Sequence, residues 1–243
     1  MEASKRRRGS GRHDFAWLLV LLGPSFGCGD YDGTPRVGAD PGDGQGGLLR
    51  EAAPYQHRPY PEPPYGVGVG ATLENFEFLG WRAPGNLSLS CSPSAENPPL
   101  ERIDLAEFFD PSGTKGLELL VVNMSAVWCT VCRAEFRLFD QEQVYAELRP
   151  RGAEFVGFLF EDRDHEPARP SDLACWADNF RVDFPMLLDP GFKTGRYFVS
   201  DATPMNLVVD ARNMQILRQY PGGGGAVEDL LAFVRRELAE RGR

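Results

Sequence analysis

The chain has 243 residues, 42% hydrophobic and 25% charged, which is enough apolar content for an ordinary buried core and too long for a small disulfide knot. With 26 positive against 35 negative side chains the net charge is -9, a field that repels phosphate backbones and argues against nucleic acid as a partner. No apolar run approaches the roughly 20 residues that a membrane-spanning helix needs.

Lys5 to Arg8 form a basic stretch, and Phe15 to Leu22 is an unbroken apolar run followed by Gly23 and Pro24. That is the layout of an export signal over residues 1–27, and it implies an oxidising compartment. The rival is a buried N-terminal helix, but the run has no polar face. Losing residues 1–27 removes five positive and two negative side chains and leaves 21 against 33, a net charge of -12. Cys28 follows Ser25-Phe26-Gly27, which resembles the processing site of bacterial lipoproteins. The resemblance implies lipidation of Cys28 and membrane contact through that anchor; cleavage nearby, releasing a soluble exported protein, is the alternative.

Between residues 28 and 70 stand ten Gly and seven Pro, 17 of 43 positions, too little apolar area to offset the entropy of ordering. Residues 28–65 are expected to be a disordered tether, flexible in its Gly-Asp half and stiffer in its Pro-Tyr half. The folded domain is expected over residues 66–243.

Within it, Phe76 to Leu79 reads as a strand, Ser88 to Pro99 as a polar loop carrying Cys91, and Ile103 to Phe109 as a strand-to-helix segment. Leu117 to Met124 is a continuous apolar run, as for a strand covered on both faces in a mostly parallel sheet. A helix is expected from the WCTVC sequence to Leu148, stopped by Pro150. Phe155 to Phe160 is the next strand, and Ser171 offers an N-cap to a helix through Phe180. Met186 to Leu188 is a short strand, residues 192–198 a short helix, and Met205–Val209 with Met214–Tyr220 a hairpin. Val227, Leu230, Leu231, Val234 and Leu238 give helical spacing to the last element.

Cys129 and Cys132 stand at i and i+3, one turn at a helix N-terminus. There the first thiol meets unpaired backbone N–H groups and the positive end of the helix dipole, which lower its pKa and favour the thiolate. Cys129 would attack a partner disulfide and Cys132 would resolve the mixed disulfide.

The order of elements, WCTVC at a strand–helix junction, and Thr203-Pro204 just before a later strand resemble the thioredoxin fold. Within that fold the chain is similar to exported TlpA/ResA-like thiol-disulfide oxidoreductases and the broader redoxin group. The resemblance implies a three-layer α/β/α sandwich with an N-terminal redoxin-type extension, and a function in exchanging disulfides with cell-envelope proteins. It implies Cys129 and Cys132 as catalytic residues, and Trp128, Thr203 and Pro204 as the surface that meets the partner, with residue 204 in the family's cis-proline loop. It also implies a monomer outside the cytoplasm with no cofactor and no metal.

Two departures from thioredoxin matter. Asn123 stands where thioredoxin carries a buried Asp, six positions before Cys129, which leaves the proton acceptor for Cys132 to Glu161 or Glu135. Thr130 and Val131 replace the familiar dipeptide between the cysteines, so the direction of electron flow stays open. Cys91 and Cys175 are left over in an oxidising compartment, either as two separate buried thiols or as a structural disulfide pinning the N-terminal loop to the helix over 171–180. His165 is read as solvated. It keeps alive a copper-carrying alternative, since Sco-type relatives use two cysteines and a later histidine, though spaced C-x-x-x-C. A peroxiredoxin-like reading is weaker, because Val122 and Ala126 stand where its Pro and Thr belong. The glycines at 222–225 lack a phosphate-loop ending and suit a hairpin-to-helix turn.

Overall fold

In the computed structural model, which describes residues 60–92 and 94–243, the elements follow the expected order. The signal segment, most of the tether and Cys28 lie outside the described residues. β1 (Glu77–Trp81) and β2 (Glu101–Asp104) form an antiparallel hairpin bridged by a long loop. β3 (Leu119–Ser125), α1 (Thr130–Gln141), α2 (Val144–Leu148), β4 (Ala153–Leu159), α3 (Pro170–Asn179) and β5 (Met186–Leu188) follow, then the hairpin β6 (Met205–Asp210) and β7 (Ile216–Pro221) and finally α4 (Ala226–Glu240).

One seven-stranded sheet runs β2-β1-β5-β4-β3-β6-β7. All seven residues of β3 are buried, because the run Leu119–Met124 is apolar on both faces of the pleat. Leu119 and Val121 face the core under α1, α3 and α4. Leu120, Val122 and Met124 face the opposite core with Phe78, Ile103 and Tyr197. The second face is covered by short 3-10 helices at Leu105–Phe108 and Lys193–Tyr197 rather than by long helices.

The sheet is mixed, not mostly parallel as the apolar run implied: only β3–β4 and β4–β5 are parallel, and β3–β6, β6–β7, β1–β2 and β1–β5 are antiparallel. A strand buried on both faces is equally apolar whichever way its neighbours run. Two helix boundaries also differ. The helix expected to reach Leu148 breaks at Gln143, whose φ of 52° cannot continue a helix. The cap of α3 is Arg169 rather than Ser171, because Pro170 takes the first helical position and Asp172 accepts the Arg169 backbone N–H at 2.8 Å. Residues 60–65, read as the end of the tether, are packed on the domain: the Tyr60 hydroxyl donates to the Leu73 carbonyl at 2.8 Å and its ring lies edge-on to Phe109.

At the far end of β3, Glu118 accepts from Arg212 Nη2 at 2.7 Å and Arg243 Nη2 at 3.0 Å. The Arg212 hydrogen bond, ahead of Arg243, holds the Glu118 carboxyl below its usual pKa against the opposing pull of burial. A carboxyl with a depressed folded-state pKa adds stability above the ordinary carboxylate range and loses it as pH falls through the folded value. Glu118→Gln is expected to cost about 1–3 kcal/mol at neutral pH and to flatten the loss of stability below about pH 4, as read by urea unfolding at both pH values.

Candidate active site

β3 ends at Ser125, and the chain turns through Ala126–Trp128 into α1. Cys129 is the N-cap of α1, in extended backbone, and its sulfur accepts the Cys132 N–H at 3.0 Å. A sulfur so placed has an orphan amide donor and the helix dipole on one side. Cys129 and Cys132 are joined by a disulfide, with Cα atoms 5.3 Å apart. Cys129 is 3% exposed and Cys132 is fully covered. Between them, Thr130 and Val131 are exposed.

The loop before β6 closes over this pair. Cys129 Sγ lies 3.4 Å from the Thr203 carbonyl oxygen, and the Thr203–Pro204 peptide is cis. Behind Pro204, the Gly222 N–H donates to the Pro204 carbonyl at 2.6 Å; a Cβ on Gly222 would stand 2.6 Å from the Pro204 nitrogen, so only glycine allows this approach. Trp128, Cys129, Cys132, Thr203 and Pro204, drawn from two segments some 70 residues apart, thus come together.

Trp128 is fixed from outside. Its indole N–H donates to Glu161 Oε2 at 2.6 Å, and the His165 ring stacks on it with centroids 4.8 Å apart. His165 Nδ1 lies 3.5 Å from the same carboxylate oxygen. His165 is solvated as expected, its side chain 66% exposed, and one face of its ring lies against the tryptophan beside the cysteines. Asp162 Oδ1 accepts the N–H groups of Asp164 and Glu166 at 2.8 and 3.0 Å, folding the acidic loop so that His165, at a φ of 64°, meets the indole. Glu161, one of the two carboxylates considered as a proton acceptor, is thereby engaged with Trp128.

The other, Glu135, lies one turn beyond Cys132 on the same face of α1 and is 4% exposed. Its Oε1 accepts from Asn123 Nδ2 at 3.2 Å. The same Nδ2 donates to Asn206 Oδ1 at 2.9 Å, and the Asn123 Oδ1 accepts from Ser125 Oγ at 2.6 Å. Burial pushes the Glu135 pKa up to about 7, against the opposing pull of the Asn206 and Asn123 amides. Asn123, unable to serve as a base itself, donates to this carboxyl. Asn206 carried no signal in the sequence, since its part depends on pairing with a residue 83 positions earlier.

Cys91, in the loop between β1 and β2, is bonded to Cys175 in α3, with Cα atoms 4.2 Å apart. Asn179 Nδ2 sits 3.3 Å from Cys175 Sγ and 3.6 Å from Cys91 Sγ. Among the described residues no three His, Cys, Asp or Glu side chains converge as metal ligands, and no helix is long and apolar enough to cross a membrane.

No family model matches the chain, and no curated protein matches it. Solved structures do. A protein of Chlorobium tepidum assigned as thiol:disulfide interchange protein DsbE superposes with a TM-score of 0.51 at 19% identity, over 71% of this chain and 99% of that one. A protein of Bacteroides thetaiotaomicron assigned as a protein disulfide isomerase gives 0.51 at 18%, over 72% and 92%. An uncharacterised conserved protein of Geobacillus kaustophilus gives 0.52 at 14%, over 72% and 84%. The chain therefore has the thioredoxin-like α/β fold, with its cysteine pair at the N-terminus of α1.

Proposed function

We propose that the chain is a protein thiol-disulfide oxidoreductase of the cell envelope, exported by residues 1–27, anchored through lipid on Cys28 and acting as a monomer without cofactor. One observation carries the enzymatic reading: a disulfide-bonded Cys129–Cys132 pair caps a helix, with its outer sulfur 3.4 Å from the Thr203 carbonyl ahead of Pro204. The names of the Chlorobium and Bacteroides structures support the same class of chemistry.

In the oxidising direction a partner thiolate attacks Cys129 Sγ, the Cys129–Cys132 bond breaks, and Cys132 leaves as a thiolate that takes a proton. A second partner thiolate then attacks the partner's sulfur in the mixed disulfide and releases Cys129 as a thiolate, so the partner is oxidised by two electrons and the pair reduced. In the reducing direction the Cys129 thiolate opens a partner disulfide, Cys132 gives its proton away and attacks Cys129 Sγ, and the partner's thiolate leaves. Glu135, one turn from Cys132 and with a pKa near 7, is the acceptor and donor of that proton. Trp128, Thr203 and Pro204 form the surface on which the partner's backbone lies. The copper-carrier reading has no such support, since among the described residues His165 does not converge with the cysteines as a ligand group.

The test is an equilibrium titration in glutathione buffers, with the thiols trapped by alkylation. The pair is expected to open and close reversibly as one two-electron couple, tenfold in ratio per about 30 mV. A pair that cannot be reduced without unfolding the protein would overturn the assignment.

A further inference from the structure

Asn123 and Asn206 are direct cross-strand partners in the antiparallel β3–β6 register, so their side chains leave the sheet on the same face. Both are buried, at 1% and 0% exposure, and both amides act on the carboxyl of Glu135. Their engagement differs. Asn123 Nδ2 closes a hydrogen bond on Glu135 Oε1, whereas Asn206 Nδ2, buried on the same face of the sheet, has no hydrogen-bond partner among the described residues. A buried donor left open is unfavourable in the state shown and is relieved in a state that gives it an acceptor. An ionised carboxylate is that state: it has two acceptor oxygens and needs more than the single donor it has from Asn123.

We propose that Asn206 is the positioning residue for Glu135, supplying the second amide donor that closes on the carboxylate when Glu135 is ionised and waiting to take the Cys132 proton. The inference rests on the role given to Glu135 above. The Asn123 side chain fixes the amide that carries this second donor, because its Nδ2 donates to Asn206 Oδ1 at 2.9 Å. Glu135 also borders a groove of about 350 Å³ between α1 and the glycine loop, through which its proton can reach water. The groups that face it are few: Cys132 on its own helix, the neutral amides of β3 and β6, and Glu228 of α4, whose charge opposes ionisation.

The experiment compares Asn206→Val with Asn206→Thr, two β-branched side chains that differ by one hydroxyl donor. The Glu135 carboxyl is followed by carbon-13 NMR in the oxidised protein, with Glu135→Gln identifying its signal, alongside the pH profile of mixed-disulfide resolution. In Asn206→Val the Glu135 midpoint is expected to rise by about one unit, leaving roughly tenfold less carboxylate at neutral pH, and the resolution profile should move with it. Asn206→Thr is expected to recover at least half of that shift. A Glu135 midpoint within about 0.3 unit of the wild type in Asn206→Val overturns the role of Asn206 while leaving Glu135 in place. A resolution profile that Glu135→Gln leaves untouched sinks the role of Glu135 instead. Should Asn206→Val fail to fold, Asn206→Ala carries the same expectation.

Discussion

Replacing Cys129 by Ala is expected to abolish disulfide exchange, with a loss on the order of a thousandfold or more, while Cys132→Ala keeps the attack and loses the release. The asymmetry follows from position. Cys129 caps α1, so its sulfur collects the Cys132 N–H and the helix dipole, and it lies nearer the surface of the two. Cys132 is fully covered and can act only on a sulfur already joined to it or to a partner. Cys132→Ala should therefore accumulate partner-linked species that survive alkylation and collapse on reduction, seen as a mass shift on non-reducing gels. Equal behaviour of the two variants, or undiminished exchange in Cys129→Ala, would refute the assignment of roles.

The second large effect concerns stability. Removing the other bridge, as Cys91→Ala with Cys175→Ala, is expected to destabilise the domain by up to about 4.5 kcal/mol. The bridge closes a loop across 84 positions, and loop-closure entropy grows with loop length. By the same reasoning the Cys129–Cys132 ring, which spans three positions, adds only about 1.6 kcal/mol. The loss should not stay local. Trp176, next to Cys175 on α3, lies edge-on to Phe136 with ring centroids 5.2 Å apart, and Phe136 is one turn beyond Cys132 on α1. A freed α3 therefore loosens the support of the catalytic helix. Urea unfolding of the double variant is the measurement; a change under about 1 kcal/mol would mean that Leu87, Leu89 and Leu100, which pack against the core from that loop, hold it without the bond.

Much of the catalytic geometry was legible before any tertiary contact was known. Cysteines at i and i+3 between an apolar strand and a helical segment placed the first at the helix N-terminus, and the resemblance carried by Thr203-Pro204 marked the facing loop. The proton site was legible in part. Asn123 was evidently not a base, but its use as a clamp on Glu135 required a partner strand. The Trp128–His165 contact was hidden because it depends on Asp162 folding the acidic loop back toward the indole.

Periodicity, caps and breakers act over a few residues, and they determined the order of strands and helices, the all-buried character of β3 and the chemistry of its cysteine-bearing end. What the tertiary structure alone decided is everything that depends on one strand's direction and register against another. It made the sheet mixed, set Asn206 opposite Asn123, and brought Cys91 to Cys175. A side chain buried on a central strand has the same local pattern whether its neighbour runs parallel or antiparallel, so only long-range pairing distinguishes them.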